Sequence, residues 1–333
     1  MQKTFFLTLL LFISIIFVIN CQPSGQKSSD AEPSANTGKE PAILAKQVSS
    51  IFGVIPDQMP GADEDTEDFV RLGEKLYFEK KLSDKSRESC NSCHTVDNKK
   101  GGVDNLPVSE GTAVKSSRRN TPTVLNAGYQ FAQFWDGRAV TLEEQLKGHM
   151  VYPDKKIQER LNKEYKDLFK KAFPKEAKSI TVHNVNRAIA AYERTLKTSD
   201  RFDDFINGNY NALTGFEQKG LDMFISSGCV TCHAGPLLGG NMYQKIGVAK
   251  PYENTADAGR YEVTKDKIDK FIFKVPVLRN IALTAPYYHD GSIKTMEEAV
   301  KNMGSLQLGK DFTDNEVASI VTFFKSLTDK KRM

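Results

Sequence analysis

The sequence predicts a mainly α-helical protein built from two similar domains. Threonine followed three residues later by glutamate opens four stretches in which apolar residues recur at spacings of three and four, as in amphipathic helices that begin with a capping box. No stretch shows the alternation of apolar and polar residues that is typical of strands. A helical pattern followed by Cys-x-x-Cys-His occurs twice, which indicates a duplicated module. The four capping boxes begin at Thr141, Thr214, Thr295 and Thr313.

The length and composition are those of an ordinary globular protein. A chain of 333 residues can form two domains with sizeable cores. Its 46 basic and 42 acidic residues give a net charge of +4, so nucleic acid is not expected as a partner. With 39% apolar and 26% charged residues, collagen-like, coiled-coil and wholly disordered classes are excluded.

Residues 1–20 predict a secretory signal peptide. Lys3 precedes an uncharged apolar stretch that is too short to span a membrane but has the length of a signal core. Cys21 closes this stretch, which resembles a bacterial lipoprotein signal with Cys21 as the acylated first mature residue, although Asn20 stands where a small residue is usual. An uncleaved anchor and plain secretion are the alternatives. We therefore expect a periplasmic protein, anchored to the membrane through Cys21, with residues 21–42 as a flexible tether.

Two domains are expected after the tether, at residues 43–203 and 204–333. The boundary follows a helix marked by one apolar stripe and coincides with a polar stretch at residues 197–204. A second stripe predicts an amphipathic helix over residues 314–328. The two stripes consist of Val185, Ile189, Tyr192 and Leu196, and of Val317, Ile320, Val321, Phe324 and Leu327.

The pattern Cys-x-x-Cys-His is the attachment signature of c-type haem. Two thiols bond to the vinyl groups of one porphyrin edge, and the next side chain, an imidazole, coordinates the iron. A structural zinc site would need its cysteine pairs closer together in sequence, and a thioredoxin-like dithiol or a small disulfide would not explain the histidines. Two copies in one exported helical chain therefore predict two covalent haems. Their residues are Cys90, Cys93 and His94 for the first, and Cys229, Cys232 and His233 for the second.

Met303 is a candidate for the sixth ligand of an iron. Met296, Val300 and Met303 share one face of the helix that Thr295 opens. A methionine ligand favours electron transfer, whereas an open position allows a small molecule to bind and react. From the residues alone, Met303 could equally fill the core.

Five further motifs closely resemble those of the bacterial dihaem cytochrome c peroxidases, the family that also includes MauG. The resemblance covers roughly residues 50–330 and implies two cytochrome c-like domains that face each other. It implies a peroxidatic haem on His94, an electron-transfer haem on His233, and Met303 as the sixth ligand of the second iron. The motifs occupy residues 102–107, 119–126, 133–138, 273–280 and 283–291.

The resemblance also assigns roles outside the haem signatures. It implies that Trp135 lies between the haems as a stepping stone for electrons, and that Gln145 is a polar residue of the peroxide pocket. Asn120, Thr284 and Pro286 match a calcium site, with the asparagine side-chain oxygen and two backbone carbonyls as ligands. Of the remaining histidines, His183 is expected to be structural, and His289 to lie close to the second haem or the calcium ion.

The sequence departs from the family at two positions around the first haem. Thr112 stands where typical members have a histidine that caps the oxidised iron, and Lys155, beside Asp154, stands where many have a catalytic glutamate. His149 follows Gln145 by four residues, which places both on one helix face. The hypothesis is that the first haem is permanently five-coordinate or is bound by His149, which then serves as ligand or as distal acid/base.

These expectations combine into a peroxidase that reduces hydrogen peroxide with electrons from a small c-type cytochrome or a cupredoxin. Donor binding should be weak and transient, and a homodimer is expected from the resemblance alone. One alternative is a MauG-like enzyme that oxidises a protein side chain. Met303 argues against it, because MauG has tyrosine there. The other alternative is a dihaem electron carrier or haem sensor without enzymatic activity.

Overall fold

The computed structural model describes residues 39–83, 86–97, 99–110, 118–147 and 152–333. The expected signal peptide, Cys21, Thr112 and His149 lie outside these residues. Pro41 and Ala42, which were assigned to the tether, instead form the start of a helix, where proline is favoured because the first turn needs no amide donor. No helix in the described ranges has the length and apolar character needed to cross a membrane.

The described chain is mainly helical, as the sequence predicts. Strands β1 (Tyr243–Lys245) and β2 (Ile272–Lys274) form one short antiparallel pair, with Tyr243 opposite Lys274. The helices are α1 Pro41–Phe52, α2 Glu67–Tyr77, α3 Cys90–Cys93, α4 Leu142–Lys147, α5 Asp154–Ala172, α6 Val182–Arg194, α7 Arg201–Ile206, α8 Gly215–Ser226, α9 Tyr261–Thr264, α10 Met296–Met303 and α11 Asp314–Ser326.

In the first half of the chain, helices α2 and α6 cross at close range. Thr66 caps α2 by accepting a hydrogen bond from the amide of Phe69. At the crossing point, a Cβ atom on Gly73 would lie 1.8 Å from the carbonyl oxygen of Ala188. Only glycine lets the two backbones approach this closely. Together with α4 and α5, these helices enclose one hydrophobic cluster between residues 69 and 192.

Helices α8 and α11 repeat this arrangement in the second half. Both begin with the expected capping boxes, in which Thr214 and Glu217, and Thr313 and Glu316, bond reciprocally. A Cβ atom on Gly220 would lie 1.9 Å from the carbonyl oxygen of Ser319. The repeated helix pair, each with a glycine at its crossing, supports the duplicated module that the sequence indicates.

Helix α1 packs with the second hydrophobic cluster, although it precedes the first in sequence. Leu44, Val48 and Phe52 are buried there beside residues from 202 to 327. Lys39 adds an ion pair of 2.5 Å to Asp222 on α8. The division at residues 203 and 204 stays a prediction, with the difference that α1 contributes to the second core.

We expect Gly73→Ala to lower the stability of the protein despite the higher helix propensity of alanine. The propensity gain is about 1 kcal/mol, whereas forcing a methyl group into a packed contact costs about 1 to 3 kcal/mol or more. Denaturant unfolding of the haem-loaded protein measures the difference. Glu74→Ala is the matched control, because Glu74 is exposed on the same helix and its replacement should change stability by less than about 0.5 kcal/mol. Equal stability of both variants would contradict the close crossing.

Candidate functional site

The first Cys-x-x-Cys-His segment lines a cavity of about 520 Å³. Its cysteines begin and end the single turn of α3, which Ser89 and Ser92 cap reciprocally. Tyr77, on α2, donates a hydrogen bond of 2.5 Å to the carbonyl oxygen of His94. The segment is therefore held against the α2–α6 pair, with Cys90, Cys93 and His94 all in the cavity wall.

The second segment lines a separate cavity of about 430 Å³. Cys229, Cys232 and His233 lie on a tight turn that starts after Gly228, whose φ of +96° favours glycine. The rest of the lining is largely apolar. It comes from α8, α10, α11 and both strands, and from the segments around residues 120–135 and 275–289.

Both histidine rings are oriented by the backbone. Nδ1 of His94 lies 3.1 Å from the carbonyl oxygen of Pro122, and Nδ1 of His233 lies 3.0 Å from that of Leu238. Such a bond fixes the ring and its tautomer, so that Nε2 is the nitrogen that would coordinate a metal. Burial lowers the pKa of His233, which favours the neutral imidazole that a metal requires.

None of these four cysteines is paired in a disulfide in the structure, which therefore gives the disulfide alternative no support. Burial raises the pKa of the Cys90 thiol to about 12 and that of the Cys229 thiol to about 11. The described residues contain no group of three or more His, Cys, Asp or Glu side chains that could hold a metal ion. The zinc alternative therefore has no candidate ligand group among them. Each cavity thus offers two thiols, one oriented imidazole and apolar walls, and these residues fit a covalently attached porphyrin.

Met303 lines the second cavity together with His233. It is the last residue of α10, which begins with Thr295 accepting a hydrogen bond from the amide of Glu298. Among the described residues lining the first cavity there is no methionine, and His94 is the single histidine. The two cavities therefore differ in the ligands that they can offer to an iron.

Trp135 is part of the wall of both cavities. Its indole N–H donates a hydrogen bond of 2.8 Å to the carbonyl oxygen of Asn120, and its own carbonyl accepts one of 2.7 Å from the amide of Lys274. Residues 120–123 also line both cavities. This position is compatible with the predicted stepping stone, which stays a prediction.

The predicted calcium ligands Asn120, Thr284 and Pro286 all line the second cavity. The side-chain amide of Asn120 donates hydrogen bonds of 3.0 and 3.3 Å to the carbonyl oxygens of Leu106 and Pro107. A calcium ion bound by the Asn120 side-chain oxygen and the two backbone carbonyl oxygens stays a prediction.

His289 lies in the wall of the second cavity, as expected of a residue near the second haem. It is 2% exposed and stacks on Phe273 at 4.1 Å between ring centroids. Its Nε2 has no hydrogen-bond partner among the described residues.

Of the described candidates for a distal residue, one lines the first cavity and two do not. Gln145, on α4, lines the cavity. Asp154 and Lys155 do not line it, and the Asp154 carboxylate instead accepts a hydrogen bond of 2.7 Å from the amide of Val182. Asp154, the first residue of α5, is thus tied to Val182, the first residue of α6.

Sequence reasoning missed Glu193, a buried carboxyl group in the wall of the first cavity. Burial, with a smaller contribution from Glu143, raises the pKa of Glu193 to about 8, so that it is mostly protonated at neutral pH. One signal could have revealed it: Glu193 follows Ile189 by four residues and thus falls on the apolar stripe of α6.

Comparison with known proteins finds a matching family model, similar curated proteins and similar solved structures. A family model described as di-haem cytochrome c peroxidase matches residues 67–211. A cytochrome c551 peroxidase of Nitrosomonas europaea is 44% identical over 78% of this chain and 80% of that protein. A second cytochrome c551 peroxidase, from Pseudomonas aeruginosa, is 41% identical over 86% of this chain and 87% of that protein. The crystal structure of a MauG-like protein associated with microbial copper homeostasis has a TM-score of 0.74 at 27% identity, over 84% of this chain and 94% of that chain.

Proposed function

This chain belongs to the dihaem cytochrome c peroxidase family, and on that premise we propose how its residues divide the work of the enzyme. It is an oxidoreductase with two c-type haems that reduces hydrogen peroxide to water with electrons from a cytochrome c. The observation that carries the assignment of roles is the pair of cavities, each with one Cys-x-x-Cys-His turn, that share Trp135 in their walls.

We assign peroxide reduction to the cavity of His94. When bound, the haems would supply the redox chemistry for reducing the peroxide and for taking up electrons from the donor. His94 would hold the first iron, and no described methionine lines this cavity. Gln145 provides a polar group in the same cavity, where it would orient the bound peroxide by hydrogen bonding.

Electron entry is assigned to the second cavity, where His233 and Met303 would hold the iron. Trp135 then connects the two sites through one aromatic ring and its contacts to Asn120 and Lys274. Met303 and the lower identity of the MauG-like relative both favour a peroxidase with ordinary electron delivery over protein side-chain oxidation.

We expect Met303→Leu to lower the reduction potential of the second haem, because a methionine ligand raises the potential and leucine cannot coordinate iron. A spectroscopic redox titration measures the change. Met296→Leu is the matched control, since Met296 lies on the same helix and also lines the second cavity. If both variants titrate like the unmodified protein, Met303 is core filler.

For His149, we propose a distal role beside Gln145 in the first site. We expect His149→Ala to reduce peroxide turnover by about 10²- to 10⁴-fold, the usual contribution of a positioned acid/base group. Spectra of the oxidised protein are the second measurement. An unchanged high-spin signal in the variant excludes ligation by His149, and unchanged turnover excludes the acid/base role.

The assigned activity is tested by stopped-flow mixing of the half-reduced protein with hydrogen peroxide and reduced cytochrome c. Rapid oxidation of the donor, two electrons per peroxide, is the expected result. A protein that holds both haems but oxidises no donor at any reduction state would instead be an electron carrier or sensor.

Several finer features complete the proposal. They are a calcium ion held by Asn120, Thr284 and Pro286, a periplasmic location with a lipid anchor on Cys21, and a homodimer. The natural donor would be a small c-type cytochrome or a cupredoxin. Each feature is supported by sequence motifs or by the family resemblance.

A further inference from the structure

Lys274 is a buried cation in the wall of the second cavity. It ends strand β2 and is 5% exposed. Its ammonium group donates a hydrogen bond to the side-chain oxygen of Gln130, which also lines the cavity. Gln130 is neutral, so this bond satisfies one donor but leaves the charge of the ammonium uncompensated.

No carboxylate balances this charge within the described part of the chain. The described lining of the second cavity contains neither aspartate nor glutamate, and Lys274 is its single lysine or arginine. Other well-buried cations have acidic partners: Arg279 pairs with Asp200, and Arg194 pairs with Asp65. Burial without an opposing charge lowers the pKa of Lys274 to about 7. A buried ammonium is stable when an anion accompanies it, so the anion should come from whatever fills the cavity.

We propose that Lys274 pairs with a propionate of the haem attached to Cys229 and Cys232. A c-type haem carries two propionates that are ionised at neutral pH, and no other anion is implied for this cavity. The backbone amide of Lys274 donates a hydrogen bond to the carbonyl oxygen of Trp135, so Lys274 lies next to a residue that lines both cavities. The proposal rests on the haem attachment assigned above and adds a binding residue to it.

The pair has a measurable consequence for the potential of the second haem. A fixed positive charge near the porphyrin disfavours the oxidised iron, which carries one more positive charge than the reduced iron. Removing it should favour oxidation. We expect Lys274→Met to shift the reduction equilibrium of the second haem by about tenfold toward the oxidised form, equal to about 59 mV for one electron.

Spectroscopic redox titration of both haems in the full-length holoprotein tests the proposal. Lys274→Arg keeps the charge and should restore the potential. Lys245→Met removes an exposed lysine from the paired strand β1 and should leave the potential of the second haem unchanged. The potential of the first haem should be unchanged in every variant. Loss of the second haem in Lys274→Met but not in Lys274→Arg would also support the pairing.

A second-haem potential in Lys274→Met equal to that in Lys245→Met would overturn the proposal. The result is independent of peroxidase turnover. If the protein holds both haems but reduces no peroxide, the proposed function fails, and the titration still decides the role of Lys274. Absence of a haem on Cys229 and Cys232 in the unmodified protein would overturn both.

Discussion

We expect His94→Ala to abolish peroxide-dependent oxidation of reduced cytochrome c. His94 is the single histidine among the described residues of the first cavity, and its ring is oriented by the carbonyl oxygen of Pro122. Without the imidazole, the first iron loses the ligand that positions it and tunes its reactivity. Cys90 and Cys93 remain, so the haem should stay covalently attached. Steady-state turnover and haem staining of the denatured protein measure the two effects separately.

His183→Gln is the matched control for this substitution. His183 is exposed on α6 and lines neither cavity, so its replacement should leave turnover and haem content unchanged. Substantial turnover in the His94 variant with haem still attached would show that the reacting iron is held elsewhere. The second cavity would then be the site of peroxide reduction.

We expect Arg279→Met to lower the free energy of unfolding by about 3 to 5 kcal/mol, the cost of leaving one member of a buried ion pair without its partner. The Arg279 side chain is 0% exposed, and its guanidinium lies 2.5 Å from the carboxylate of Asp200 and 2.9 Å from that of Asp203. It also donates a hydrogen bond of 2.9 Å to the carbonyl oxygen of Pro236, close after the second haem motif. Methionine removes all three contacts and leaves the carboxylate of Asp200, which is 1% exposed, without its cationic partner.

Guanidinium unfolding of the holoprotein measures this loss, with Lys330→Met as the control. Lys330 pairs with Asp204 at 2.8 Å, but the two side chains are 40% and 37% exposed. A pair that is screened by water in this way contributes about 0 to 1 kcal/mol. If both variants lose the same free energy of unfolding, burial does not determine how much the Arg279 ion pair contributes to stability.

Much of the fold was predictable because its signals are local. A capping box occupies four consecutive residues, and an apolar stripe reports on one helix face at a time. These signals correctly predicted α6 and α11 and the boxes at Thr214 and Thr313. Helix α1 was not predicted, and the expected boundary at residue 43 divides it between the tether and the first domain. Its apolar face is instead buried by elements from the other end of the chain.

By itself, the sequence determined the family and the haem attachment, because the two thiols and the imidazole of each site stand within five consecutive residues. Only the tertiary structure decided which other groups face the two cavities. Trp135 lines both of them, and Lys274 is buried without a carboxylate in its cavity. Glu193 and the Arg279 pair are likewise defined by burial. The physical reason is that burial and the partner of a charge depend on segments distant in sequence, whereas covalent attachment of haem depends on neighbours along the chain.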